Sequence, residues 1–227
     1  MDILKIKPNV QKAVFLAKRA ISELVYDAIN LEGICFTLPE VQTLLEGITI
    51  GGHRLSDQNI ALNQARAWKL IFDLVIEGKF ALSQETACLI HAQAAKEDAL
   101  EWGRFRSGSV TIAGTSYVPP KAQLLNQVWN EMVERSHEIS QIYERAIFIF
   151  LEMSRNQFFY DVNNRMGRFM MNGILLAHGY PVINVPASKK VEFNTLMLNF
   201  YESHQHQKMH TFMINCLDPR TMAIMAE

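Results

Sequence analysis

The sequence predicts an all-α fold, and three observations lead to that prediction. Apolar residues recur every three or four positions over most of the 227 residues, which is the period of an amphipathic helix. Capping residues and glycine or proline breaks separate these periodic segments. Only residues 104–120 alternate in the way a strand does, so we expect a helical bundle that carries one small β-hairpin.

The N-terminal segment is expected to hold two helices. The period over residues 9–31 predicts one long helix, and a capping box at residues 37–40 starts a short second one. A glycine pair at residues 51–52 then breaks the pattern. We therefore divide the chain into an N-terminal helical segment, residues 1–55, and a main domain, residues 56–227.

The main domain is predicted to contain a buried central helix. Residues 139–156 are apolar on nearly all sides, which is typical of a helix surrounded by others. A short polar loop separates this helix from the next one. The helices predicted in this domain span residues 57–78, 82–99, 122–136, 139–156, 164–178 and 187–201, with a last helix that ends at Asp218-Pro219.

Composition and charge exclude several classes of protein. The net charge is −1 and the basic residues are scattered, so no nucleic-acid or anionic membrane surface is indicated. Cys35, Cys88 and Cys216 lie far apart and form no zinc or disulfide pattern. No signal peptide and no stretch near the ~18 apolar residues of a membrane span occurs. We expect a cytoplasmic protein without nucleic-acid or membrane partners.

The polar loop after the central helix has the residues of a phosphate site. Asp161, Asn163 and Asn164 lead into a helix, whose N-terminus attracts anions through free N–H groups and its dipole. Asp161 could hold a Mg²⁺ that bridges phosphate oxygens. Arg165 and Arg168 share one helix face and could clamp a polyphosphate. The alternative is a capped turn followed by two solvated arginines.

The same stretch resembles the signature of the Fic/Doc family, whose members mostly transfer AMP. That signature reads His-Pro-Phe-x-Asp/Glu-Gly-Asn-Gly/Lys-Arg-x-Gly-Arg. The sequence keeps Phe159, Asp161, Asn163, Arg165, Gly167 and Arg168. It departs at four positions, where Gln157 replaces His, Phe158 replaces Pro, Val162 replaces the first Gly and Asn164 replaces Gly or Lys.

Two of the departures bear on activity. The family's His is the general base for the target hydroxyl, and Gln157 cannot replace it because an amide has no proton affinity near pH 7. Val162 replaces a glycine that allows unusual backbone angles and a close approach of phosphates. The resemblance implies ATP and Mg²⁺ as ligands, with the metal on Asp161 and the phosphates on Asn163, Asn164, Arg165 and Arg168.

The end of the first predicted helix also resembles the family. Fic proteins with an N-terminal inhibitory helix carry Ser/Thr-x-x-x-Glu-Gly/Asn there, and Glu32 and Gly33 match while Ala28 replaces Ser/Thr. In those relatives the Glu pairs with the second signature Arg and blocks productive ATP binding. The resemblance therefore implies a Glu32–Arg168 pair, and it implies a homodimer because such relatives often form one. The alternative is an ordinary acid near a helix end.

The predicted hairpin resembles the family's flap, which follows a Val-x-Ile-x-Gly…Pro-Pro pattern. The resemblance implies that it holds the backbone of a protein target by strand addition, and a structural loop is the alternative. The flap residues implied in target binding are Val110, Thr111, Ile112 and Ala113.

One histidine pair lies outside the motif. His206 and His210 are four residues apart, which suits zinc geometry on a helix. No acidic residue follows at a known spacing, so a polar surface is the favoured interpretation.

Three functions are weighed. An enzyme would transfer AMP to a protein hydroxyl, but loss of a general base typically forfeits ~10²–10⁴-fold in rate. A catalytically inactive protein would keep the fold to bind nucleotide or peptide, and an inert scaffold would keep the fold alone. The sequence favours a degenerate Fic protein that binds ATP, with weak or absent AMP transfer.

Overall fold

The computed structural model describes residues 6–227, which contain eleven α-helices and no strand. The all-α prediction is confirmed, while the first five residues of the predicted N-terminal segment lie outside the described range. No helix in that range has both the length and the hydrophobicity needed to cross a membrane. The helices are α1 (Val10–Arg19), α2 (Ile21–Leu31), α3 (Leu38–Leu45), α4 (Leu55–Ile76), α5 (Gln84–Ala94), α6 (Leu125–His137), α7 (Ile142–Asn156), α8 (Asn163–Ala177), α9 (Lys190–Ser203), α10 (Gln207–Ile214) and α11 (Pro219–Ala226).

The pair α7 and α8 forms the centre of the bundle, as the apolar pattern predicts. Nearly every residue of α8 is buried. Gly167 lets the two helices touch, because a Cβ at that position would lie 2.7 Å from the carbonyl oxygen of Phe150. Helices α4 and α5 pack on α8, whereas α6 and α10 pack on α7. The loop that joins α7 to α8 is thus held at one end of the core.

The single long helix predicted over residues 9–31 is wrong, because the chain breaks at Ala20. That residue has φ −90° and ψ 5°, and its N–H contacts the carbonyls of both Leu16 and Ala17. The break lets α1 pack on α4, α8 and α11 while α2 packs on α3 and α4. Tertiary packing has overridden a continuous helical period. The domain boundary near residue 55 stays a prediction.

The chain does not end its last helix at Asp218-Pro219, as predicted, but begins α11 there. The Asp218 carboxylate accepts the N–H groups of Arg220 and Thr221 at 3.2 and 3.0 Å. Pro219 occupies the first turn, where its missing N–H removes no helical hydrogen bond. An Asp-Pro dipeptide can start a helix as well as follow the end of one.

The predicted β-hairpin is also wrong. Residues 107–120, the flap loop, run irregularly around a turn at Ala113-Gly114, and no backbone hydrogen bond joins its two arms. Side chains hold it instead, since the Glu202 carboxylate accepts the N–H of Ser116 at 2.7 Å. An isolated two-stranded hairpin is marginally stable, and contacts with the body have replaced the ladder. The predicted flap residues Val110, Thr111, Ile112 and Ala113 belong to this loop and to no strand.

Candidate active site

The loop from α7 to α8 turns through two residues in the left-handed region. Gln157 has φ +50° and ends α7, and Val162 has φ +56° and begins α8. This conformation costs about 1–2 kcal/mol in a residue with a Cβ. Val162 is only 4% exposed, so burial of its side chain offsets the strain. The valine therefore adopts a backbone shape that glycine would adopt more easily.

The Asn163 side chain holds this loop together. Its Oδ1 accepts the N–H of Phe159 at 2.9 Å, and its Nδ2 donates to the Phe159 carbonyl at 2.8 Å and to Gln157 Oε1 at 3.0 Å. Gln157 Nε2 donates to the Ser154 carbonyl at 2.6 Å. Both amides are thus engaged inside the protein. The group that Asn163 offers to a ligand is its backbone N–H.

Two phenylalanines form an aromatic floor under the loop. Phe158 and Phe159 are fully buried. Phe158 lies 5.2 Å from the Trp129 ring and 5.1 Å from the Phe105 ring. Phe159 stacks on His91 with the ring centroids 3.9 Å apart. Phe158, which stands where the family signature has proline, therefore fills a cluster of rings that fixes the loop from below.

His91 is a fully buried histidine in this floor. Its Nδ1 accepts the N–H of Gly103 at 3.0 Å. Burial lowers the pKa of His91 to about 4, and the nearby positive charge of Arg165 acts in the same direction. The ring is therefore neutral near pH 7 and serves as an apolar neighbour of Phe159.

Glu32 pairs with both signature arginines. It is the C-cap residue of α2, and its Oε1 lies 3.2 Å from Arg168 Nη2, as the resemblance implies. Its Oε2 lies 3.0 Å from Arg165 Nε, which was not predicted. Burial lowers the pKa of Arg168, and the charge of Glu32 opposes that shift. Glu32 thus covers the face of α8 on which a polyphosphate clamp is predicted.

Asp98 is a second acid on Arg165 that sequence reasoning missed. Its Oδ2 accepts a hydrogen bond from Arg165 Nη2 at 2.7 Å. It lies 67 positions before Arg165 and just after α5, in no recognisable motif. The side chains of Glu32 and Asp98 are 29% and 22% exposed, against 6% for Arg165. The acids therefore form the outer layer of the cluster, and the arginine forms the inner layer.

Three features of the loop suit a phosphate with a divalent cation. Arg165 Nη1 is buried without a hydrogen-bond partner among the described residues. Within residues 6–227, no side chain caps the N-terminus of α8. The exposed Asp161 carboxylate accepts the Val162 N–H through Oδ1 at 2.6 Å. Unpartnered donors at a helix N-terminus attract phosphate, and a carboxylate beside them is a ligand that Mg²⁺ prefers. The residues present fit both groups.

A cleft of about 460 Å³ brings these groups together. Its walls include Glu32, the flap loop and the start of α8, as predicted, whereas Val110 and Arg168 do not line it. One wall was not predicted and comes from α9. The residues lining the cleft are Glu32, Thr111, Ile112, Ala113, Gln157, Asp161, Val162, Asn163, Asn164, Arg165, Asn194, Met197, Leu198 and Tyr201.

The α9 wall is tied to the signature loop by Tyr201. Its hydroxyl donates to Asn164 Oδ1 at 2.9 Å. Burial raises the pKa of Tyr201 to about 12, so the hydroxyl keeps its proton and acts as a donor. The Asn164 side chain is thereby engaged, as that of Asn163 is.

Arg106 fixes the base of the flap loop to the signature loop. Its Nε donates to the Gln157 carbonyl and its Nη1 to the Gly108 carbonyl, both at 2.6 Å. Its backbone N–H donates to the Phe158 carbonyl at 2.9 Å. Arg106 is buried, although nothing in its sequence context distinguishes it from a surface arginine. The flap loop is therefore anchored directly at the cleft.

Residues 81–175 match the family model described as the Fic/DOC family. This chain contains a Fic/DOC family domain. The matched range includes α5 with Asp98 after it, the flap loop and the signature loop, so the Fic domain supplies most of the cleft. Glu32 and the α9 wall lie outside the matched range.

Curated relatives of this chain are named protein adenylyltransferase Fic. Those of Drosophila persimilis and Drosophila erecta are each 25% identical, over 182 and 183 residues, and the match covers 78% of this chain. It covers 35% and 36% of those relatives, so the chain spans about a third of their length. Their name supports AMP transfer at the level of the family.

Solved Fic structures share the fold. Fic-1 from C. elegans superposes with a TM-score of 0.78 at 17% identity, over 92% of this chain and 63% of that one. A Fic domain containing signaling protein from Bacteroides thetaiotaomicron gives 0.76 at 18% identity, over 99% and 92%. The fold similarity extends to the helices before residue 81, which the family model does not match.

Proposed function

We propose that this Fic chain binds ATP with Mg²⁺ in the cleft and presents it for transfer of AMP to a protein hydroxyl, with weak or no transfer in the native sequence. One observation carries the proposal. Exposed Asp161, the uncapped start of α8 and Arg165, whose buried Nη1 has no partner among the described residues, all line one cleft. The adenylyltransferase name of the curated relatives supports the choice of reaction.

The transfer step requires a place for one proton. The target hydroxyl oxygen forms a bond to the α-phosphorus, the bond from that phosphorus to the bridging oxygen breaks, and pyrophosphate leaves. The hydroxyl proton must pass to a base. Gln157 cannot accept it, and its amide is already engaged with Ser154 and Asn163. Loss of the base would lower the rate of transfer by ~10²–10⁴-fold.

The remaining groups position the nucleotide. Asp161 would hold the Mg²⁺, which supplies charge neutralisation on the phosphate oxygens. The backbone N–H groups at the start of α8 and the Arg165 guanidinium would orient the phosphates. Positioning and electrostatic stabilisation do not depend on a base.

Glu32 would act as an exchangeable inhibitor. It occupies the arginines that the phosphates need, and its side chain is partly exposed. It also lies at the C-terminal end of α2, where the helix dipole disfavours an acid. A polyphosphate that displaces Glu32 would offer the arginines more negative charge than the carboxylate does.

The flap loop would receive an extended segment of the target. Thr111, Ile112 and Ala113 line the cleft, and backbone groups on both arms lack partners in the other arm. Such groups can pair with an added strand. The homodimer implied by the family resemblance stays a prediction.

The proposal is tested with ATP labelled on its α-phosphate, Mg²⁺ and a cell lysate as the source of targets. Four chains are compared: the native one, Glu32→Gly, Glu32→Gly with Gln157→His, and that double variant with Asp161→Ala. We expect at least ~10²-fold more label for the double variant than for the native chain, since it regains a base and frees the arginines. Asp161→Ala should remove the gain.

The alternative is a catalytically inactive Fic protein that binds nucleotide or peptide for regulation. The engaged amide of Gln157 favours it. In that case ATP binding is measurable by calorimetry and falls in Arg165→Ala, but no label appears even after Gln157→His. If Arg165→Ala leaves ATP affinity unchanged, the phosphate clamp is wrong for both candidates.

A further inference from the structure

A buried carboxylate of α7 and two histidines meet outside the cleft. Glu152 Oε1 lies 2.6 Å from His204 Nε2 and 2.9 Å from His206 Nε2. The three ligand atoms all lie within 4.8 Å of one another. Glu152 belongs to α7, whereas both histidines lie in the turn between α9 and α10. The cluster therefore unites residues about fifty positions apart.

We propose that Glu152, His204 and His206 bind a divalent transition metal, zinc before the others. Two imidazoles and one carboxylate are a donor set that zinc takes, with a remaining position for water. Mg²⁺ prefers oxygen ligands, so this site and the nucleotide cleft would select different ions.

The geometry needs only a small adjustment to accept zinc. Bonds of about 2.0–2.2 Å in a tetrahedral arrangement place ligand atoms roughly 3.3 Å apart. The nitrogens must therefore retreat from Glu152 Oε1 by some tenths of an ångström. The side chains of His204 and His206 are 36% and 31% exposed, so they can move outward. The side chain of Glu152 is only 6% exposed and stays in place on α7. The open side of the cluster faces solvent.

The surroundings support a built site. His204 has φ +54°, a conformation unusual for a residue with a Cβ, and it brings the ring to the cluster at the end of α9. Asn156 Nδ2 lies 3.5 Å from the second oxygen of Glu152 and can orient the carboxylate. The rings of Phe148 and Phe200 lie 5.6 and 5.3 Å from that of His206. This apolar wall limits the access of water from one side.

Metal binding would tie the cleft wall to the central helix. Helix α9 contributes Tyr201 and Leu198 to the cleft, and Glu202 of the same helix holds the flap loop. The cluster joins the C-terminal end of α9 to Glu152 of α7, which lies five residues before Gln157. The metal would thus stabilise the position of α9 without contacting a nucleotide.

The test uses the full chain without an affinity tag, stripped of metal by a chelator and dialysed. Co²⁺ is the probe, because a tetrahedral N/O site gives it a strong visible absorption band. We expect this band in the native chain, its loss on addition of Zn²⁺ and no competition by Mg²⁺. His206→Gln should weaken Co²⁺ binding at least ~10-fold, and His204→Gln with His206→Gln should abolish the band. Zn²⁺ should raise the melting temperature of the native chain and not that of the double variant.

His210→Gln is the matched control. His210 lies four residues after His206 but outside the cluster, so its loss should leave the affinity unchanged. Circular dichroism of each variant verifies that it is folded. The histidines are replaced rather than Glu152, because they are more exposed and their loss disturbs the core less. If the native chain binds Co²⁺ no more tightly than the double variant, or if His210→Gln weakens binding as much as His206→Gln, the cluster is an ion pair without metal.

Discussion

Two charge clusters lie on the central helices, and their polarity is opposite. In the first, the buried groups are the cations Arg165 and Arg168 on α8, covered by the more exposed Glu32. In the second, the buried group is the anion Glu152 on α7, covered by two more exposed histidines. In both cases the inner charge belongs to the core pair of helices and the outer groups come from distant segments.

The sign of the buried charge indicates which kind of ligand each cluster can bind. Removing an inner charge leaves its partners unpaired and disturbs the core, whereas the more exposed outer groups can move when a ligand binds. The inner charge then attracts a ligand of the opposite sign. The arginine cluster is therefore suited to anions and the glutamate cluster to cations. Burial raises the pKa of Glu152, but hydrogen bonds from His204 and His206 outweigh it and bring the pKa to about 2. The carboxylate is thus ionised when it meets a cation.

The largest expected effect is a loss of stability at low pH, caused by a histidine beside the arginine cluster. His91 lies beside Arg165 and Asp98, and burial lowers its pKa to about 4 from an ordinary 6.5. Between these values the unfolded chain binds a proton that the native chain does not. The free energy of unfolding should therefore fall as the pH drops from 6.5 to 4, by about 3 kcal/mol in total.

Urea unfolding at several pH values measures this loss. The comparison is with His91→Gln, which does not titrate and should show a shallower dependence on pH over the same window. If the free energy of unfolding depends equally on pH in the two chains, groups other than His91 cause the loss of stability in acid.

The next effect concerns the contact between α7 and α8, the two helices that carry the clusters. A Cβ at Gly167 would lie 2.7 Å from the carbonyl oxygen of Phe150, so Gly167→Ala should push α7 and α8 apart. We expect about 2 kcal/mol of destabilisation by overpacking. Thermal unfolding measures it. Gly51→Ala is the control, because nothing lies within 4 Å of a Cβ there and its φ is not positive. A loss no greater than that of the control would show that the helices can separate freely.

The smallest effect concerns the second acid on Arg165. Asp98→Asn keeps the shape of the side chain and weakens a partly exposed ion pair, so stability should change by less than about 1 kcal/mol. Affinity for ATP should rise a few-fold, since Nη2 of Arg165 is released for phosphate. Calorimetric titration measures the affinity. Glu97→Gln is the control, because it removes one negative charge from the neighbouring residue. An unchanged affinity for Asp98→Asn would mean that Asp98 does not compete with the nucleotide.

Short-range patterns identified most of the fold and the centre of the cleft. The helical period located α4 to α9, and the signature resemblance located Asp161, Arg165 and Arg168 at the start of α8. The inhibitory resemblance also found the contact between Glu32 and Arg168. These features depend on spacing along the chain, which is visible without a structure.

Contacts between distant segments were not predictable in the same way. The alternation over residues 104–120 predicts a hairpin, but Glu202 and Arg106 hold residues 107–120 as a loop. The sequence favours a polar surface over a metal site for His206 and His210, and the structure instead joins His206 to His204 and Glu152. No local period distinguishes these partners, because their meeting depends on how α7 and α9 pack.

The helical class, the polar loop between two apolar helices and the lack of a base at residue 157 all follow from the amino-acid sequence alone. Those properties are set by the side-chain period and by chemical identity, which act over a few residues. Three other properties depend on the folded chain: Val162 turns left-handed, Asp98 reaches Arg165, and two histidines cover Glu152. The physical reason is that burial and charge pairing arise between segments whose separation in sequence carries no information about their distance in space.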